Sequence, residues 1–273
     1  MSTETPIYHR IPVTHETLAD LDTPLSVYLK LANGPHSYLL ESAQGGEKWG
    51  RYSIIGLPSR TILQVDGRHI KVTTDGEVTE ELDSEDPLGF IESFQQRYRV
   101  ADTQGLPRFF GGLVGYFGYD TVRLVEKRLA NSTPPDTLNT PDMLLMVSEE
   151  VVVFDNLQGT MQMISLVDPN VPGAEEEMRQ KLLAREAELQ EPVQGLEAGN
   201  ANQVIEESDF ISEFGEENFK QAVQRIREYT TAGDVMQVVL AQRMRIPFQA
   251  PSINMYRALR HLNPSPYMYF MNL

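Results

Sequence analysis

The chain has 273 residues, 41% of them hydrophobic and 23% charged, and its 23 Lys and Arg against 39 Asp and Glu leave a net charge of −16. Such a chain is globular, long enough for one large or two ordinary domains with a sizeable core, and its acidity argues against nucleic acid or an anionic membrane as partner. It has no cysteine, which excludes disulfides, thiolate catalysis and Cys-ligated zinc, and no apolar run approaches the ~20 residues of a membrane span.

The five histidines (His9, His15, His36, His69, His261) are scattered without ligand spacing and read as surface or hydrogen-bonded residues. The N-terminus lacks the basic-then-apolar pattern of a signal peptide, so a cytoplasmic protein is expected. Thr23-Pro24 reads as a helix N-cap followed by proline in the first turn, with Leu25, Tyr28, Leu29 and Ala32 as the apolar face and Asn33-Gly34 as the stop. Residues 36–42 form a predicted strand, followed by a polar loop that holds Trp49. Further strands are predicted at 52–57, 60–65, 69–73 and 78–82, with Asp66-Gly67 and Asp75-Gly76 as hairpin turns, together an antiparallel meander.

Asp86-Pro87 caps a second predicted helix, whose face is Phe90, Ile91, Phe94 and Tyr98. Residues 109–122 mix aromatics with Gly111, Gly112, Gly115 and Gly118. No Lys-Ser, Lys-Thr or helix start follows them, so a phosphate cradle is rejected in favour of close backbone approach or a bulge. Strands at 143–148, 151–154 and 161–167 follow, the last two joined across 156–159. Pro172-Gly173 starts a helix with Glu175, Glu176 and Glu177 in its first turn and Met178, Leu182 and Leu189 as its stripe. Residues 190–208 read as a polar linker.

The rest of the chain is organised around residues 219–246. Phe219, Val223, Ile226 and Thr230 mark an amphipathic helix, and Gly233 is placed to end it in the left-handed conformation. The period then changes to two. Met236, Val238, Leu240, Met244 and Ile246 alternate with Val235, Gln237, Val239, Ala241, Arg243 and Arg245, which predicts one long strand entering a covered sheet. Residues 252–262 predict a helix with Met255, Leu259 and Leu262 as its face. Asn263-Pro264 ends it, and Pro266 leads into an apolar strand. The sequence stops inside that strand, so the expectation is the N-terminal part of a longer protein.

Four segments carry a resemblance. GDVMQVVLAQR at 233–243 resembles the strand that opens the chorismate-binding domain of the chorismate-utilising enzymes. These include anthranilate synthase component I, aminodeoxychorismate synthase component I and the isochorismate and salicylate synthases. Leu39-Leu40-Glu41-Ser42 and Asn263-Pro264-Ser265-Pro266-Tyr267-Met268 resemble the two halves of the L-tryptophan feedback site in anthranilate synthase component I. GGLVGYFGYD at 111–120 is similar as well, and the four occur in the expected order over nearly the whole chain.

The resemblance implies an α+β fold of antiparallel sheets packed together with helices on the outside, truncated here at the C-terminus. It implies a regulatory and partner-facing region over 16–168, a helix and linker over 169–209, and an incomplete start of the chorismate-binding domain over 210–273. It also implies conversion of chorismate and ammonia to anthranilate and pyruvate in tryptophan biosynthesis. The ammonia would come from glutamine through a partner glutamine amidotransferase subunit, anthranilate synthase component II. Mg2+ would be the cofactor, with ligands beyond residue 273, so the fragment is expected to be inactive alone. Aminodeoxychorismate synthase component I and a non-catalytic tryptophan-binding module are the alternatives.

Leu40, Glu41, Ser42, Asn263, Pro266, Tyr267 and Met268 are the L-tryptophan residues that the resemblance implies. Their chemistry is suitable: Glu41 or nearby carbonyls can take an ammonium, Ser42 is a small donor and acceptor, and Met268 is a pliable wall for an indole. The same residues also read as core leucines, a strand end and a strand start. Gln237 occupies a position that resembles a water-activating lysine in the isochorismate and salicylate synthases. Glutamine cannot abstract a proton, and ammonia as nucleophile needs no such base. Gln237 is therefore a pocket residue, a core amide or both. No catalytic residue and no metal ligand is assigned.

Overall fold

A computed structural model describes residues 9–42, 50–101, 103–130, 132–133, 135–193 and 204–273. They fall into two compact units, one of Met1–Gly195 with Leu259–Leu273, the other of Leu196–Ala258. The chain begins with strand β1 (Ile11–Leu18) and helix α1 (Pro24–Val27), which widens into a π-type turn, Tyr28–Ala32. Strands β2 (Ser37–Glu41), β3 (Tyr52–Gly56), β4 (Thr61–Asp66), β5 (His69–Thr74) and β6 (Glu77–Asp83) follow. Next come α2 (Pro87–Gln95), β7 (Gly112–Phe117) and the short α3 (Val122–Val125). Strands β8 (Met143–Ser148), β9 (Glu150–Asp155) and β10 (Thr160–Val167) lead to α4 (Ala174–Glu188). After these stand β11 (Ile211–Ser212), α5 (Glu216–Ala232), β12 (Met244–Arg245), α6 (Ser252–Leu262) and β13 (Met268–Asn272).

The first unit holds two antiparallel sheets. One has six strands in the order β1-β10-β9-β3-β2-β13, the other five in the order β6-β5-β4-β8-β7. They pack face to face through Tyr38 of β2, Ile62 of β4, Val114 of β7 and Met146 of β8. Alternate residues point the other way, as the pleat requires. Leu63 and Val65 of β4 and Met143, Leu145 and Val147 of β8 meet Ile91 and Phe94 of α2. On the six-stranded sheet, Thr17 Oγ1 donates to the Glu186 carboxylate of α4 at 2.6 Å, and His15 Nε2 lies 2.8 Å from it. Lys181 of α4 reaches Glu150 of β9 at 3.0 Å. The result is the expected α+β class, antiparallel sheets packed together with helices outside.

Local signals act where the sequence places them. Thr23 Oγ1 accepts from the Ser26 amide at 3.1 Å, and Ser26 Oγ accepts from the Thr23 amide at 2.9 Å, a reciprocal cap. Asp86 accepts from the Gly89 amide at 2.9 Å. Asp75 and Gly76 have φ of 53° and 83°, the left-handed pair of a two-residue hairpin. A Cβ on Gly115 would stand 1.9 Å from the Leu144 carbonyl oxygen, so the glycine in β7 does mark a close backbone approach.

Several expectations are corrected. The meander covers β4, β5 and β6 only, because β3 belongs to the other sheet. Pro58 has no N–H for a ladder, and its neighbours bond elsewhere, Leu57 to Glu150 and Ser59 to His36. Val27 is buried beside the expected face of the first helix, since the wide π-type turn shifts the apolar stripe. β1 was not expected at all. Its polar Thr14, His15, Glu16 and Thr17 give it little apolar signal, and its partner β10 is remote in sequence.

The long strand over residues 235–246 does not form. Only β12 is extended, paired with β11, and Met236 and Val239 are 100% and 82% exposed. A strand needs neighbours for its backbone N–H and C=O groups, and among the described residues β11 alone supplies them here. The apolar face expected for α6 is also wrong. Met255, Leu259 and Leu262 are exposed, whereas Ile253 and Tyr256 are buried. α5 ends as read, with Gly233 at φ 83°. Trp49 and linker residues 194–203 lie outside the described residues. Among the described residues no helix is long and apolar enough to cross a membrane.

Candidate functional site

The two motifs around residues 40 and 266 meet in the first unit. β2 and β13 pair antiparallel, with Asn272 opposite Ser37, Tyr269 opposite Leu40 and Met268 opposite Glu41. One end of the ladder is held by polar side chains. Asn272 Nδ2 donates to the Gly34 carbonyl at 2.8 Å, Ser37 Oγ donates to the same carbonyl at 2.6 Å, and Tyr28 Oη lies 2.9 Å from Ser37 Oγ. Burial pushes the Tyr28 phenol above its ordinary range, against the opposing hydrogen bonds of Ser37 and Asn272. The Tyr28 ring meets Phe270 edge-on at 5.6 Å.

The other end carries the expected ligand residues. Ser42 Oγ donates to the Pro266 carbonyl at 3.4 Å, a contact across 224 residues of sequence. The Glu41 side chain is 2% exposed, and Arg260 Nη2 stands 2.9 Å from its Oε1. Met268 is buried at 7% exposure, beside Glu41 in register. Leu40 is half-buried and packs against the inter-sheet core. Asn263, Pro266 and Tyr267 are exposed, and the Asn263 amide closes on the Leu259 carbonyl at 2.9 Å. The edge of the sheet thus offers a buried carboxylate, a hydroxyl, a thioether and an exposed aromatic ring within one short stretch of two strands.

Arg260 was missed from the sequence. The signal was present, since Ile253, Tyr256 and Arg260 lie at i, i+3 and i+7 on α6, one helical stripe. The first two are the buried residues of that helix. Three residues after Arg260 the motif Asn263-Pro264-Ser265-Pro266 begins, so the helix delivers its cation just before the chain turns into β13.

Gln237 belongs to the second unit and lies exposed on the irregular segment before β12. In that unit Ser212 Oγ donates to Gln242 Oε1 at 2.9 Å and Arg243 pairs with Glu213 at 3.0 Å. Among the described residues no group of three or more His, Cys, Asp or Glu side chains is arranged to hold a metal ion.

The sequence and the fold both have relatives. The chain is 58% identical over 268 residues to anthranilate synthase component 1 of Pseudomonas putida, an alignment that covers 97% of this chain and 54% of that protein. Against the protein of the same name from Pseudomonas aeruginosa it is 55% identical over 268 residues, with the same coverage. Against that from Aquifex aeolicus it is 39% identical over 269 residues, covering 97% of this chain and 53% of the relative. The chain therefore spans about half the length of the curated relatives it matches. The crystal structure of anthranilate synthase component I from Streptococcus pneumoniae TIGR4 shares the fold, with a TM-score of 0.58 and 24% identity over 97% of this chain and 54% of that one. The model of the chorismate binding enzyme family matches residues 36–273, which include β2, β13 and every expected ligand residue, and the chain belongs to that family.

Proposed function

We propose that this chain belongs to the large subunit of an anthranilate synthase, and that its β2–β13 edge binds L-tryptophan as feedback inhibitor. The enzyme would convert chorismate and ammonia to anthranilate, pyruvate and water in the cytoplasm, the ammonia released from glutamine by a partner amidotransferase subunit. The observation that carries the regulatory part is the meeting of Ser42 with Pro266 and of Glu41 with Met268. Two segments remote in sequence supply a carboxylate for an ammonium group, a hydroxyl, and a pliable thioether for an indole wall. A ligand held by both strands couples the stretch around residue 41 to the stretch that follows α6, and its leverage is its differential affinity for the two arrangements.

Residues 16–168 would form the regulatory and partner-facing region, 169–209 a helix and linker, and 210–273 the start of the chorismate-binding domain, with Gln237 in its pocket. Mg2+ would supply Lewis-acid help to the departing hydroxyl. The described side chains do not fit a metal site, so no residue here is given to the ion.

The test of the regulatory reading is calorimetric titration of the chain with L-tryptophan, beside the Ser42→Ala variant. Loss of one hydrogen bond removes roughly 0.5–1.5 kcal/mol, so the variant should bind about threefold to tenfold more weakly. Equal affinity in the two proteins would sink the assignment of the site.

A further inference from the structure

Glu41 and Arg260 are unequal partners. The acid has 2% of its side chain in solvent and the arginine 38%, with 2.9 Å between Nη2 and Oε1. A charged pair with one partner that deep is costly to break, because the buried group loses its partner where water cannot replace it. The arginine, by contrast, sits outside the acid and can move into water, since a guanidinium on a long stem is readily solvated at the surface. Arg260 also stands in the last turn of α6, where the helix end favours a positive charge whether or not the ion pair is made. One partner is fixed and the other is free to leave.

We propose that Arg260 is an internal stand-in for a ligand's ammonium group. In the ligand-free chain it neutralises Glu41. A zwitterionic aromatic amino acid brings its own ammonium to the same carboxylate and displaces the guanidinium. The inference rests on the β2–β13 edge being an amino-acid site. It adds that the site opens by exchange of one cation for another, so that Arg260 tunes how much ligand is needed. Because α6 leads directly into Asn263 and β13, release of Arg260 also loosens the tie between the helix end and β2, which gives the binding event a mechanical consequence.

Competition of two cations for one acid has a signature that simple contact lacks. Removing Arg260 should strengthen binding of a ligand that carries an ammonium and give its ammonium-free, anionic analogue no gain. Calorimetric titration of the chain with L-tryptophan and with indole-3-propionate, in wild type, Arg260→Gln and Ser42→Ala, separates the cases. The expected result is tryptophan binding roughly five- to tenfold tighter in Arg260→Gln, the scale of one charge-assisted hydrogen bond, with indole-3-propionate, an anion, unchanged or weaker. Equal or weaker tryptophan binding, or the same gain for both ligands, overturns the exchange. If Ser42→Ala weakens tryptophan while Arg260→Gln does not strengthen it, the site stands and the exchange falls. If no protein binds tryptophan, both fall. Where Arg260→Gln does not fold, Arg260→Lys carries the test. An ammonium pairs less rigidly than a planar fork, so binding about two- to threefold tighter is expected, and no gain overturns the proposal.

Discussion

Gly56 lies under the ring of Tyr38, its register partner across the β2–β3 ladder, and a Cβ built on it would stand 2.0 Å from Tyr38 Cε1. The ring covers the glycine, fills the space between the two sheets, and places its Oη 2.7 Å from Ser148 Oγ on the facing sheet. Gly56→Ala must therefore push the ring out of a packed core. The expected cost is about 2–3 kcal/mol, the upper range for overpacking. Tyr38→Phe keeps the ring and loses only the hydroxyl, for about 1 kcal/mol. Urea unfolding of the two variants checks the order, and a Gly56→Ala protein as stable as wild type would mean that the ring has room to move.

Gly115 makes a sharper case. Its virtual Cβ meets not a side chain but the carbonyl of Leu144 on the paired strand, at 1.9 Å. Backbone inside a sheet cannot step aside as a rotamer can, so Gly115→Ala is expected to cost about 3 kcal/mol or more. Gly76 is a useful contrast, because nothing lies within 4 Å of its virtual Cβ and only its φ of 83° resists a side chain. Gly76→Ala should cost about 1–2 kcal/mol, the left-handed penalty alone. Equal unfolding midpoints for the two variants would contradict the distinction.

The carboxylates between elements set an acid limit. Asp155 is held below its ordinary range first by its hydrogen bonds from Arg51, against the effect of burial, and further by the Gln158 and Leu157 amides. For Glu150 burial acts upward, but Arg185 and Lys181 outweigh it and its pKa is lowered. Hydrogen bonds from Thr17 and then His15 lower Glu186. Each is a stronger acid folded than unfolded, so the stability it adds is fully present above the unfolded value, near 4, and is lost as pH falls through the folded one. The urea midpoint should stay level from neutral pH down to about 5 and fall steeply below about 4. Glu150→Gln should be less stable at pH 7 and lose less on acidification. A midpoint that falls as steeply in the variant as in wild type would remove Glu150 from the account.

On the function proposed above, Gln237 bears on chemistry. In an anthranilate synthase containing this chain, Gln237→Lys is expected to place a base where an amide stood and to divert part of the chorismate to a hydroxylated product such as isochorismate, since a lysine can activate water and glutamine cannot. Chromatography of the reaction products reads the outcome. An unchanged product profile with wild-type ammonia-dependent activity would leave Gln237 as an exposed residue with no part in the reaction.

What the sequence disclosed was local. The caps at Thr23 and Asp86, the Asp75-Gly76 turn and the end of α5 at Gly233 each depend on a few neighbouring residues, and each was legible. Pairing was not. β3 and β4 are consecutive and look like one hairpin, yet Pro58 sends them to different sheets. Residues 235–243 alternate as a strand should, but alternation supplies no hydrogen-bond partners. On α6 two stripes compete, Met255-Leu259-Leu262 and Ile253-Tyr256-Arg260, and periodicity alone does not say which faces inward. The apolar choice was the natural one, and the buried face instead carries the cation that meets Glu41. The convergence of Ser42 and Pro266 came from motif resemblance, because nothing in either segment's own pattern points to the other.

Met268 and Tyr267 are neighbours with opposite surroundings, and that contrast separates binding from folding. Met268 is 7% exposed and stands opposite Glu41, while Tyr267 is 64% exposed. Met268→Thr removes apolar volume from a buried position and leaves a hydroxyl there, so it should cost about 1–3 kcal/mol of stability as well as tryptophan affinity. Tyr267→Ala should leave stability within about 0.5 kcal/mol of wild type, as surface substitutions do. On the ligand site proposed above, which includes Tyr267, affinity should still drop by about tenfold, the scale of one aromatic contact together with its buried area. Calorimetric titration and urea unfolding are run on the same preparations. Weaker binding in Tyr267→Ala at unchanged stability is the result expected of a ring that touches the ligand, because loss of folding is then excluded as the cause. Wild-type titration curves in both variants would remove the pair from the ligand site and leave β13 as an edge strand only.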